Sequence, residues 1–169
     1  MKLLASTYFT ELKQFTLGAK KRIWVSCYVA TFNIRKKGDR VFSLFEILRH
    51  RQAAGVDVRF LIDRPRLHKP NYHAQQFLIR RLKSWGLPFW VAPSRTTCHA
   101  KVILIDDSVL LGSHNLAKSS LCNPLEISIL VDDSPAITAS VDRWFEECFE
   151  SPDWEYYPPG LYRIRDVYP

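Results

Sequence analysis

Segments with helical spacing of apolar residues alternate along the chain with short runs that are apolar throughout, the pattern of an α/β domain. Over residues 6–20, Phe9, Leu12, Phe15 and Leu17 lie near helical spacing, with Ser6 as the candidate cap and Gly18 and the lysines after it as the stop. Residues 22–32, R-I-W-V-S-C-Y-V-A-T-F, are rich in β-branched and aromatic side chains and apolar on both faces, as a central strand requires. A second helix is predicted over 41–54, with Phe42, Phe45, Ile47 and Leu48 as its stripe and Gly55 at its end, and a buried strand over 56–62. Strand, helix and strand in succession predict a right-handed βαβ unit with parallel strands. A third helix over 71–85 carries Phe77, Leu78 and Leu82 inward and stops at Gly86, and a short strand follows over 87–92.

The link P-S-R-T-T-C after residue 92 is too short for a crossover helix, so the strand entered through His99 is expected to run antiparallel to its predecessor. The runs 102–105 and 109–111 flank Asp106, Asp107 and Ser108 and read as a buried hairpin with a three-residue loop. That loop pairs Ile105 with Val109, Lys101 with Ser113 and His99 with Asn115. A strand over 126–131 and a helix over 135–149 follow, the helix opened by Ser134 or Asp133 with proline in its first turn and packed through Trp144, Phe145 and Phe149. The tail from residue 152, with Trp154, four tyrosines and four prolines, lacks periodicity and is expected to wrap the domain or a partner chain. The expected architecture is one domain over 1–169, α/β, with a mixed, mostly parallel sheet flanked by helices on both faces.

Composition narrows the class. Hydrophobic residues at 47% and charged residues at 24% fit a folded globular chain, and no run approaches the ~20 apolar residues of a membrane span. Thr7, Thr10, Glu11 and Lys13 interrupt the first apolar patch before a signal-peptide core can form, which makes the cytoplasm the expected compartment. Cys27, Cys98, Cys122 and Cys148 have no C-x-x-C spacing and are read as small buried hydrophobes rather than disulfide or zinc partners. His50, His68, His73 and His114 lack a partner at metal-ligand spacing and are assigned surface or packing roles. A net charge of +7 favours an anionic partner, nucleic acid or an acidic membrane surface.

The candidate chemistry is concentrated in residues 98–121. His99 and Lys101 are two apart, as are Ser113 and Asn115, and residues two apart in a strand share a face. An imidazole, an ammonium, a hydroxyl and an amide would therefore converge at the open end of the hairpin. Imidazole can attack or move protons near neutral pH, while ammonium and amide donors suit the non-bridging oxygens of a phosphoryl group. No metal or other cofactor is required by that chemistry.

His99-x-Lys101, four residues, Asp106, then Gly112-Ser113-x-Asn115 resembles the HKD motif of the phospholipase D superfamily. Glu126, eleven residues beyond Asn115, stands where nucleases of that family carry an acidic residue. The chain departs from the usual pattern in having five residues rather than six between Asp106 and Gly112, a deletion that falls in the hairpin turn. The resemblance implies a phospholipase D-like fold and a site in which one imidazole attacks phosphorus while a second protonates the leaving oxygen. This chain carries one motif, since the pattern fails at Pro70 after His68 and at Gln75 after His73. A symmetric homodimer is therefore expected to bring two copies of His99 together, as in single-motif nucleases of the family.

On that reading His99 is nucleophile and acid, Lys101 and Asn115 hold phosphoryl oxygens, Ser113 and Glu126 orient the imidazole, and Asp106 tethers loop backbone. The first three strands end at one sheet edge, where open α/β folds gather ligands. The basic loops there, with Arg35, Lys36, Lys37, Arg64, Arg66, Lys69 and Arg95, are expected to frame the His99 cluster as a phosphate-binding funnel, Gly112 lying at the cluster itself. An endonuclease acting on DNA or RNA fits a basic chain without a membrane helix best. The alternatives are a phospholipid-cleaving enzyme and a nucleic-acid-binding subunit of a larger restriction or defence complex.

Overall fold

The computed structural model describes residues 1–67 and 69–160; the packing role expected for His68 and the end of the tail, 161–169, lie outside the described residues. Among the described residues, ten strands and five helices follow one another as β1 (Lys2–Leu4), α1 (Tyr8–Gly18), β2 (Arg22–Cys27), β3 (Ala30–Thr31), α2 (Arg40–Ala53), β4 (Asp57–Ile62), α3 (Tyr72–Trp85), β5 (Phe89–Val91), β6 (Val102–Ile105), β7 (Ser108–Gly112), β8 (Leu116–Ala117), α4 (Lys118–Leu121), β9 (Ser128–Val131), α5 (Pro135–Glu150) and β10 (Glu155–Tyr157). Eight strands form one sheet in the order β1-β9-β7-β6-β2-β4-β5-β10, and β3 pairs with β8 in a small second sheet.

The strand β2 sits at the middle of the large sheet and shows why its sequence is apolar on both faces. Its Ile23, Val25 and Cys27 join a core with Leu12 of α1, Phe45 and Leu48 of α2 and Leu78 and Leu82 of α3. Its Trp24 turns the other way, into a second core with Leu61, Trp90, Leu104, Val109 and Phe145 of α5. Helices therefore cover both faces, as the sequence predicts. The ladders β2/β4 and β4/β5 are parallel, as the βαβ argument requires, and β6 runs antiparallel to β2. The sheet is mixed, but the expectation of a mostly parallel one is corrected: β1/β9, β5/β10, β6/β7 and β7/β9 are antiparallel as well.

The balance shifts because both edges carry short strands with no sequence signal of their own. β1 pairs with β9, and β10 brings the tail back onto β5, stacking Tyr157 on Phe89 at 4.5 Å and Tyr156 on Trp90 at 4.3 Å. The helix α1 is capped at Thr7 rather than Ser6, without a side-chain hydrogen bond, whereas α3 ends at Gly86 in the left-handed conformation. The predicted strand over 22–32 is two strands, because the chain bends at Tyr28 and Ala30–Thr31 leaves the main sheet to pair with Leu116–Ala117. Among the described residues no helix is long and apolar enough to cross a membrane.

Candidate active site

The hairpin register differs by one residue from the expected one. Ile105 pairs with Ser108 and Val102 with Leu111, so the loop is the two residues Asp106 and Asp107, with Asp106 in the left-handed region at φ 52°. In an unbroken ladder that slip would turn Ser113 and Asn115 to the opposite face from His99 and Lys101. They meet nonetheless, because the ladder stops at Val102 and Gly112, and His99, Lys101, Ser113 and Asn115 all lie on irregular chain beyond it. Together with Glu126 they line one open depression of about 650 Å³.

His99 is exposed, and the Lys101 Nζ lies 3.1 Å from its Nδ1 and 2.7 Å from its carbonyl oxygen. Burial pulls the Lys101 ammonium below the ordinary lysine value, against the opposing pull of Glu126. Tyr28 backs both groups, its ring 4.4 Å from the His99 ring and 5.2 Å from the Lys101 Nζ. On the opposite wall the Ser120 hydroxyl accepts from the Asn115 backbone N–H at 2.8 Å and donates to Glu126 Oε1 at 3.1 Å. The Ser113 hydroxyl bridges both backbone groups of Ile127, donating to its oxygen at 3.2 Å and accepting from its N–H at 3.0 Å. Asn115 Oδ1 is buried without a hydrogen-bond partner among the described residues. Its amide can present oxygen or nitrogen at that position, and the nitrogen would donate to a phosphoryl oxygen.

Gly112 explains itself by distance. A Cβ there would stand 2.4 Å from the Ile127 oxygen and 2.4 Å from Ser128 Cα, so only glycine lets β7 approach β9 this closely. Asp106 is at the far end of the hairpin, about 13 Å of strand away from the depression. Burial disfavours its charge, yet donation from the backbone N–H groups of Arg22, Lys21 and Lys20 holds its carboxyl below the usual value. It joins the turn to the start of β2 and does not reach the other site residues.

A family model for the phospholipase D-like domain of cardiolipin synthase matches residues 12–149. The chain belongs to the phospholipase D superfamily. No curated protein matches the sequence. Among solved structures, Nuc from Salmonella typhimurium, a phospholipase D family member, has a TM-score of 0.72 at 19% identity over 93% of this chain and 97% of that one. NucT from Helicobacter pylori has 0.67 at 17% identity, over 89% and 95% respectively. The phosphatidylserine synthase of Haemophilus influenzae has 0.68 at 20% identity, covering 98% of this chain and 40% of that one. For this superfamily member the fold supports a phosphodiesterase-type hydrolase as the class of activity.

The basic loops leave the expected edge, but none of the seven predicted cations lines the His99 depression of this phospholipase D-like chain. Arg64 is engaged by the Ala92 oxygen at 2.8 Å and Glu155 at 3.0 Å. Arg66 grips both oxygens of buried Asp63, at 3.1 and 3.0 Å, and also donates to the Thr96 oxygen. Arg35, Lys37, Lys69 and Arg95 are exposed, and Lys36 lines a separate pocket.

Sequence reasoning missed Asp63, which is 3% exposed and accepts from the Cys98 backbone N–H at 2.9 Å and from Gln75 at 3.0 Å. Through Cys98 it fixes the chain one residue before His99. Tyr28 and Ser120 were missed as well; only their spatial neighbours mark them. His114 is 2% exposed, stacked on Tyr8 at 4.2 Å and bonded to the Ser128 hydroxyl at 2.8 Å, a packing role. Burial pushes the Cys27 thiol up to about 12 and raises that of Cys98, whereas Cys122 is exposed, against the expectation of burial. Among the described residues no group of three or more His, Cys, Asp or Glu could hold a metal ion.

Proposed function

We propose that the protein is a metal-independent endonuclease, acting on DNA or RNA through a phosphohistidine intermediate in a homodimeric site. The observation that carries this reading is the exposed His99 imidazole with the Lys101 ammonium 3.1 Å away, in a depression that also holds Asn115 and Glu126. The imidazole of one His99 attacks phosphorus in line, forming a P–N bond as the P–O bond to the leaving strand breaks. The second His99, from the other subunit, gives that oxygen its proton. The same second imidazole then takes a proton from water, whose oxygen attacks phosphorus and releases the first His99. Lys101 and Asn115 donate to the non-bridging oxygens, where charge accumulates.

Three observations support a two-fold assembly as the completed site. The chain supplies one His-x-Lys dyad, the depression is open, and Leu125 and Ile127, on either side of Glu126 at its rim, are 87% and 50% exposed. Apolar side chains so exposed beside a polar site are suited to burial between copies. The net charge of +7 favours a polyanionic substrate. A second reading, phosphatidyl transfer or phospholipid cleavage, is favoured by the cardiolipin synthase family model and the phosphatidylserine synthase likeness.

The deciding experiment incubates purified protein with labelled DNA, RNA and phospholipid in excess chelator, beside His99→Ala. The expected result is nucleic-acid cleavage that survives the chelator and is lost in the variant. Turnover of lipid alone replaces the proposal with the second reading.

A further inference from the structure

A small pocket of about 190 Å³ is ringed by Lys36, Arg40 and Lys118. We propose that it is a second phosphate subsite, which binds a phosphate of the substrate strand distant from the one under attack; the inference rests on the proposed nucleic-acid cleavage. All three cations are exposed, and none has an ion-pair partner among the described residues. The one carboxylate in the wall, Asp39, is engaged by backbone: its Oδ1 accepts from Phe42 N–H at 2.9 Å and its Oδ2 from Asn33 N–H at 3.1 Å. Three cations therefore border a concavity lined by one carboxylate, the Arg40 guanidinium lying 5.7 Å from the Phe9 ring centroid, so positive charge outweighs negative around it. At that volume the pocket is below the ~300 Å³ of a pocket for a whole small ligand, and suits a single anionic group.

The pocket is tied to the candidate active site through α4. Ser120 of that helix bonds Asn115 and Glu126 in the His99 depression, while Lys118 and Leu121 of the same helix line the second pocket. On the other side, Lys36 and Arg40 follow β3, which pairs with β8 immediately before α4. The four-residue helix α4 lies between the two subsites, so they take different phosphates of one strand, and a substrate needs more than one linkage to fill both.

Cys122 lies in the pocket and is exposed, so its thiol reports on the pocket without reference to turnover. Protein is treated with methanethiosulfonate reagents of similar size and opposite charge, and modification of the Cys122 peptide is followed by mass spectrometry. The anionic reagent is expected to react roughly tenfold faster than the cationic one, and the preference to fall in Lys118→Glu and in Arg40→Gln. Inorganic phosphate and a hexanucleotide, the latter with His99→Ala protein, should protect Cys122. The salt slope of hexanucleotide binding should fall by about 0.7 in Lys118→Glu. Equal rates with both reagents and no protection by phosphate would overturn the pocket while leaving the His99 reading standing. Protection by phosphate or by anionic phosphatidylglycerol vesicles, without protection by the hexanucleotide, would overturn its assignment to the nucleic-acid strand.

Discussion

The residue that best reports the state of the candidate site is Lys101. In the proposed mechanism its ammonium must keep its proton to hold a phosphoryl oxygen, and burial already moves that proton's loss below the ordinary lysine range, while Glu126 acts in the opposite direction. Alkaline loss of kcat/KM should thus begin below the pH at which an ordinary lysine titrates. Removing the Glu126 charge takes away the opposing pull, so Glu126→Gln should shift the alkaline limb further toward lower pH, read from pH–rate profiles of both proteins. An unmoved limb would separate Lys101 from the chemistry. Asp63 and Tyr28 act at this scale by position: one holds Cys98 beside His99, the other backs the imidazole and the ammonium. Neither residue type stands out in a sequence, because a lone Asp after a strand or a Tyr after another acquires a role only from what folds against it.

Among the elements, the pairing of β7 with β9 determines where Ser113 and Asn115 emerge. Ser128 is opposite Gly112 in this ladder, and the Ser113 hydroxyl continues the connection to Ile127. Gly112→Ala would drive a methyl group to 2.4 Å from backbone on β9, and the strands must part to admit it. A loss of about 1–3 kcal/mol is expected, seen in urea unfolding as a lower midpoint at unchanged slope. The hairpin was legible in the sequence as two apolar runs around Asp106 and Asp107, but its register was not. One residue more or less in the loop keeps both runs apolar, and the choice was made by the tether from the Asp106 carboxylate to the backbone of Lys20, Lys21 and Arg22. The edge strands β1 and β10 were not legible either, since three residues are too few to show a period.

At the scale of the whole molecule, the proposed mechanism needs two copies of His99 where one chain supplies one. Sedimentation equilibrium should give twice the chain mass of 19.7 kDa. Mixing wild-type and His99→Ala subunits after full exchange should reduce activity as the square of the wild-type fraction, because both imidazoles of a dimer must be present. A linear dependence would mean that each chain works alone. The basic loops, read as a single funnel, are partly committed to holding the fold together: Arg64 and Arg66 bind Glu155, Asp63 and backbone oxygens instead of facing solvent. A charge count cannot distinguish a cation that awaits a ligand from one already partnered, since the partner is distant in sequence.

Hydrophobic periodicity determined the order of the longer helices and strands, the βαβ unit and the placing of His99 at the strand edge, because apolar burial is dictated locally by spacing along the chain. The linear spacing of His99, Lys101, Ser113 and Asn115 likewise determined which groups could form a phosphoryl site. Tertiary structure alone decided that they converge despite the shifted register, that β1 and β10 close the sheet, and that Lys36, Arg40 and Lys118 share a pocket. Each of those outcomes depends on contacts between segments far apart in the chain, which spacing along a sequence does not encode.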